Sequence, residues 1–106
     1  MQNKFIEIKT TFKSLKVAKE ICKTLVESRL VACGHITKIS SMYCYEGKFE
    51  SQNEILLILK TKKTLYHKIK KAIIEKHEYN TPQIISQLID DGSPSYLEWI
   101  DSCLIE

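Results

Sequence analysis

Cys33 and His35 carry the most suggestive spacing in this chain. Two positions apart on an extended backbone, a thiol and an imidazole project from the same face. Both are ligand types that copper or zinc accepts, but a site needs two or three together. A third ligand would have to come from a neighbour, so a buried cysteine beside a hydrogen-bonded histidine is the favoured reading. The other cysteines are Cys22, Cys44 and Cys103, and no two of the four form a CxxC pair. They read as reduced, small apolar residues. His67 lies in a lysine-rich stretch and reads as solvated. Tyr43, Tyr45 and Phe49 beside Lys48 form an aromatic and basic group of the kind that stacks nucleic-acid bases. Net charge is only +3, however, and Arg29 is the single arginine. Specific grip on phosphate favours the arginine fork, so the charge argues for solubility and against a nucleic-acid partner.

These residues need a scaffold, and 106 residues suit one domain over 1–106. With 43% hydrophobic and 27% charged residues the composition is that of an ordinary globular protein. No apolar run reaches the ~20 residues that cross a bilayer. The first ten residues alternate instead of forming a greasy block, so a signal peptide is not expected and the cytoplasm is the default location.

The organising stretch is Ile36–Thr61, which reads as a long hairpin. Ile55 to Leu59 is an unbroken apolar run, so both faces of its strand should be covered. Helices of a small domain cover one; a neighbouring subunit is the natural cover for the other. Gly47 can take positive φ, so the chain reverses at Glu46-Gly47-Lys48. Upstream, Phe5–Lys9 alternates as a first strand, and Thr10, Thr11 or Ser14 can cap a helix whose stripe is Leu15, Ala18, Cys22, Leu25 and Val26. Leu30–Cys33 opens the second strand, with Gly34 a bulge or close-approach point. Thr61 or Thr64 caps a second helix, with Leu65, Ile69, Ala72 and Ile73 inward, that stops near His77. Ile84–Ile89 is a fourth strand, and Ser93-Pro94 starts a last helix. The order β-α-β-β-α-β with an added C-terminal helix predicts an α+β, ferredoxin-like antiparallel sheet with helices on one face. Enzymes of the acylphosphatase type share this class but need a Gly-rich anion loop and an arginine. Thr10-Thr11-Phe12-Lys13 offers neither, so a binding protein ranks above an enzyme.

Four stretches resemble the CutA family, small trimeric proteins named for divalent-cation tolerance. They are Glu27–Cys33; Ser41–Lys48, close to S-x-Y-x-W-x-G-K with Tyr45 at the tryptophan; Glu54–Thr61; and His77–Ile84 with Tyr96–Trp99, close to H-P-Y-x-x-P-E-I and Y-L-x-W. The resemblance implies a tight homotrimer whose hairpins cross between subunits, a role in the response to metal ions, and no evident catalysis. Copper is the cofactor it suggests, through a cysteine at the end of strand one, a histidine before Pro-Tyr, and a glutamate after the second proline. Here Lys9 and Gln83 fall at the first and last of these, and Glu78 replaces a proline, leaving His77 without companions. The weak metal candidates are therefore His77, Cys33 and His35, and His77 is expected to be structural. By analogy with PII-type signalling trimers, an inter-subunit cleft of Tyr43, Tyr45, Lys60, His77 and Tyr79 is expected to take a small anion.

Overall fold

The computed structural model describes residues 4–106; residues 1–3, the start of the segment read above for a signal peptide, lie outside them. Strands β1 (Phe5–Phe12), β2 (Cys33–Tyr45), β3 (Lys48–Lys62) and β4 (Ile84–Leu88) form one antiparallel sheet in the order β2-β3-β1-β4. Helix α1 (Leu15–Glu27) follows β1, a 3-10 turn and α2 (Tyr66–Lys76) follow β3, and α3 (Pro94–Cys103) closes the chain. This is the expected ferredoxin-like arrangement.

Period-two alternation sorts the sheet into two faces. Ile6, Ile8 and Phe12 of β1 and Ile55, Leu57 and Leu59 of β3 are buried with Ala18, Ile21 and Leu25 of α1 and Ile69 and Ile73 of α2. Leu56 and Ile58, on the other face, are only half-buried. Helix α3 covers one end of that face, where Tyr96 meets Cys33 and Asp101 pairs with Lys62 at 2.8 Å. The double cover expected of Ile55–Leu59 is thus complete on one side of a single chain and incomplete on the other.

β2 and β3 pair without interruption from Cys33↔Lys60 to Tyr45↔Lys48. Glu46 and Gly47 turn the chain with φ of 50° and 79°, the two positive values of a type I′ hairpin. Toward the tip from Ile55 no third strand among the described residues accompanies the ribbon, and residues 42–53 are all exposed. The hairpin makes the molecule 44 Å long, and its radius of gyration of 14.5 Å exceeds the ~13 Å of a compact chain this size.

Several boundaries differ from expectation. β1 continues to Phe12, so Thr10 and Thr11 are strand residues, Ser14 alone caps α1, and Lys9 lies mid-strand. β1 is flanked by β3 and β4, and that pairing outcompetes local hydroxyl capping. The unbroken register leaves no bulge at Gly34; a Cβ there would lie 2.3 Å from Cys22 Sγ, so close approach is what it provides. Thr61 and Thr64 cap nothing. Thr61 is a buried strand residue whose hydroxyl donates to the Leu30 carbonyl at 2.7 Å.

Leu30–Ala32 is a turn, not strand. After α1, the Arg29 amide donates to Val26 and the Leu30 amide to Leu25, a Schellman closure with Arg29 left-handed at φ 63°. Its guanidinium donates to the carbonyls of Ser102, Cys103 and Leu104, so the only arginine pins the end of α3 to this corner. Arg29→Ala keeps the strained backbone and loses all three bonds. A loss of roughly 1–2 kcal/mol in chemical denaturation is expected. No described helix is long and apolar enough to cross a membrane.

Candidate functional site

His77 ends α2 in an extended conformation, and its ring is fully engaged. Nε2 donates to the Thr11 carbonyl at 2.8 Å, and Nδ1 accepts the Tyr79 amide at 3.0 Å. The ring stacks on Phe12 at 4.3 Å. With both nitrogens occupied, it has no lone pair left for a metal. The imidazole ties the segment after α2 to the end of β1, and Glu78 next to it accepts the Lys13 and Ser14 amides at the start of α1. Burial pushes the His77 pKa below the usual 6.5, against weaker upward pulls from the Thr11 carbonyl, Glu78 and Glu54. Protonation would also turn Nδ1 toward a donor that it now accepts from. The unfolded chain therefore binds more protons than the folded one below about pH 6.5, and this stability contribution is lost as pH falls. Denaturation midpoints between about pH 5 and 8 should show that fall, and His77→Gln should lack it.

The lock positions the wall of a cleft of about 560 Å³. On one side stand Tyr43, Tyr45, Gln52 and Glu54 of the hairpin. On the other stand Tyr79 and its neighbours through Gln83. Tyr79 donates its hydroxyl to Glu54 Oε2 at 2.7 Å, and Gln52 donates to the Tyr43 hydroxyl at 2.6 Å. Burial first, and the Glu54 carboxylate second, push the Tyr79 pKa far up, so its phenol stays a donor. Among the described residues no lysine or arginine lines this cleft.

Of the residues singled out in the sequence, Tyr43, Tyr45 and Tyr79 come together here. His77 stands behind them, 5.1 Å from the Tyr79 ring. Lys60 is six positions further along β3. It pairs with Glu7 at 3.5 Å and lies 6.0 Å over the Tyr96 ring. Cys33 Sγ contacts the Tyr96 hydroxyl at 3.7 Å, and His35 is exposed opposite Ile58. Lys9 meets Gln87 at 3.3 Å, while Gln83 lines the cleft. Among the described residues no three His, Cys, Asp or Glu side chains converge to hold a metal ion. The Cys22 thiol is pushed up by burial, which makes it a poor thiolate.

Sequence reasoning gave Glu54 no role and noted Glu78 only as the replacement of a proline. A lone carboxylate at the edge of an apolar strand was the available signal for Glu54. The bond from Glu78 to α1 spans 64 and 65 positions and has no local signature.

Comparison with known proteins gives this geometry its relatives. The family model described as CutA1 divalent ion tolerance protein matches residues 6–103. The divalent-cation tolerance protein CutA of Pyrococcus horikoshii is 38% identical over 95 residues, covering 90% of this chain and 93% of that protein. The chloroplastic CutA of Arabidopsis thaliana is 35% identical over 90% of this chain, which spans about half (53%) of its length. The crystal structure described as the periplasmic divalent cation tolerance protein CutA of Archaeoglobus fulgidus superposes with a TM-score of 0.90 at 34% identity, covering 93% of this chain and 97% of that one. The chain belongs to the CutA1 divalent ion tolerance family.

Proposed function

We propose that the protein serves divalent-ion tolerance as a homotrimer that binds its ligand without transforming it, and that the Tyr43–Tyr45–Tyr79 cleft is where the ligand sits. One observation carries the assembly: β3 presents Leu56 and Ile58, with Ile85 of β4 half-exposed nearby, on a sheet face that α3 covers at one end only. The bare hairpin adds Met42 and Phe49, 72% and 73% exposed. Apolar surface so placed is what subunit interfaces bury. Non-catalytic action is supported by relatives named as tolerance proteins and by His77 being consumed in structure. The cytoplasm is the compartment in which Cys22, Cys33, Cys44 and Cys103 stay reduced.

The role is tested in cells that lack the protein and are challenged with copper, zinc or cobalt. Restored growth is expected from the intact chain and not from a variant that cannot assemble. Equal rescue by both would separate tolerance from assembly and overturn the reading.

A further inference from the structure

Glu54 is a charge without a counter-charge. It is 8% exposed and begins the buried part of β3. Among the described residues no lysine, arginine or histidine forms an ion pair with it. Oε2 accepts the Tyr79 hydroxyl, but no described residue donates to Oε1. Nor is Oε1 sealed away, because Glu54 lines the cleft and, among the described residues, every fully buried side-chain polar atom has a partner. A carboxylate this buried, with one oxygen unpartnered and open to the cleft, favours a cation brought to it.

The surrounding side chains narrow the kind of cation. Tyr43, Tyr45 and Tyr79 line the cleft, and aromatic rings attract ammonium groups. Gln52 spends its NH₂ on Tyr43, which leaves its carbonyl as an acceptor. Glu78, the second carboxylate, gives one oxygen, Oε1, to the Lys13 and Ser14 amides. A divalent metal favours several charged ligands at once, and no three His, Cys, Asp or Glu side chains converge here among the described residues. An anion would meet Glu54 with no lysine or arginine beside it.

We propose that the cleft binds a small organic ammonium ion, its nitrogen on Glu54 Oε1 and its carbon chain across the tyrosine rings. This rests on the cleft being the ligand site and reverses the charge expected of the ligand from the family analogy.

Butylammonium and butyrate, a cation and an anion of similar size, are the probes, titrated by NMR against the whole protein. Saturable butylammonium binding is expected, with shifts at Tyr43, Tyr45 and Tyr79. Glu54→Gln should weaken it tenfold or more. Glu98→Gln, the same charge loss on an exposed turn of α3, should leave it unchanged. Tyr45 is 60% exposed at the hairpin, so Tyr45→Ala tests the site without disturbing the core, and a loss on the order of threefold is expected. Binding of butyrate alone would overturn the ammonium assignment and leave the cleft standing as a ligand site. Binding of neither probe would overturn both, and undiminished binding in Glu54→Gln would overturn the role of Glu54.

Discussion

Ile58→Asp should yield a folded chain that no longer assembles. The residue sits mid-strand on the open face, with His35 opposite on β2 and Lys9 opposite on β1. On the helix side the core side chains Leu57 and Leu59 are fully buried and untouched by the change. In the single chain Lys9 lies beside the new carboxylate, so the sheet does not carry an isolated charge, and roughly 1 kcal/mol of strand preference is lost. In an assembly the same carboxylate is desolvated once per subunit, at several kcal/mol each. Repeated in three copies, that outweighs the affinity of an ordinary interface. Sedimentation of Ile58→Asp should give the 12.3 kDa of one chain with a circular dichroism spectrum like that of the parent. An unchanged larger mass would place the interface elsewhere.

Phe12→Ala should be the most damaging single truncation of the core, at about 3–5 kcal/mol. Phe12 is fully buried at the end of β1, facing Ile55, and its ring is the platform on which His77 stacks. Removal leaves a cavity and frees the imidazole that fixes Tyr79, so the cleft wall loosens along with the core. Phe49→Ala is the matched control. Phe49 is 73% exposed on the hairpin, and its truncation should cost a dissociated chain less than about 0.5 kcal/mol. Urea midpoints would check both, and a Phe12→Ala cost below about 1 kcal/mol would show that the His77 stack is incidental.

What could be read from the sequence followed from how local each signal is. The helical period of Leu15–Glu27, the reversal at Gly47 and the apolar run of β3 are written in neighbouring residues, and their elements stand where expected. Thr10 and Thr11 misled because a hydroxyl after a strand serves equally as cap or as strand. Only the flanking β3 and β4, supplied from far along the chain, decide between them. Arg29 hid for a related reason. Its left-handed backbone would ordinarily call for glycine, and the carbonyls that hold it lie more than seventy positions away. The cleft was half legible: its tyrosines advertise themselves, whereas the remoteness of Lys60 depends on strand register. Glu54 matters through what does not pair with it, which no spacing reveals.

The measurement closest to the centre of this account is the mass of the unaltered protein in dilute solution, by light scattering or sedimentation equilibrium. Three times the 12.3 kDa of one chain, held down to low concentration, is the predicted value. A stable, well-folded species of 12.3 kDa would contradict it, because the face carrying Leu56 and Ile58 would then need no second copy.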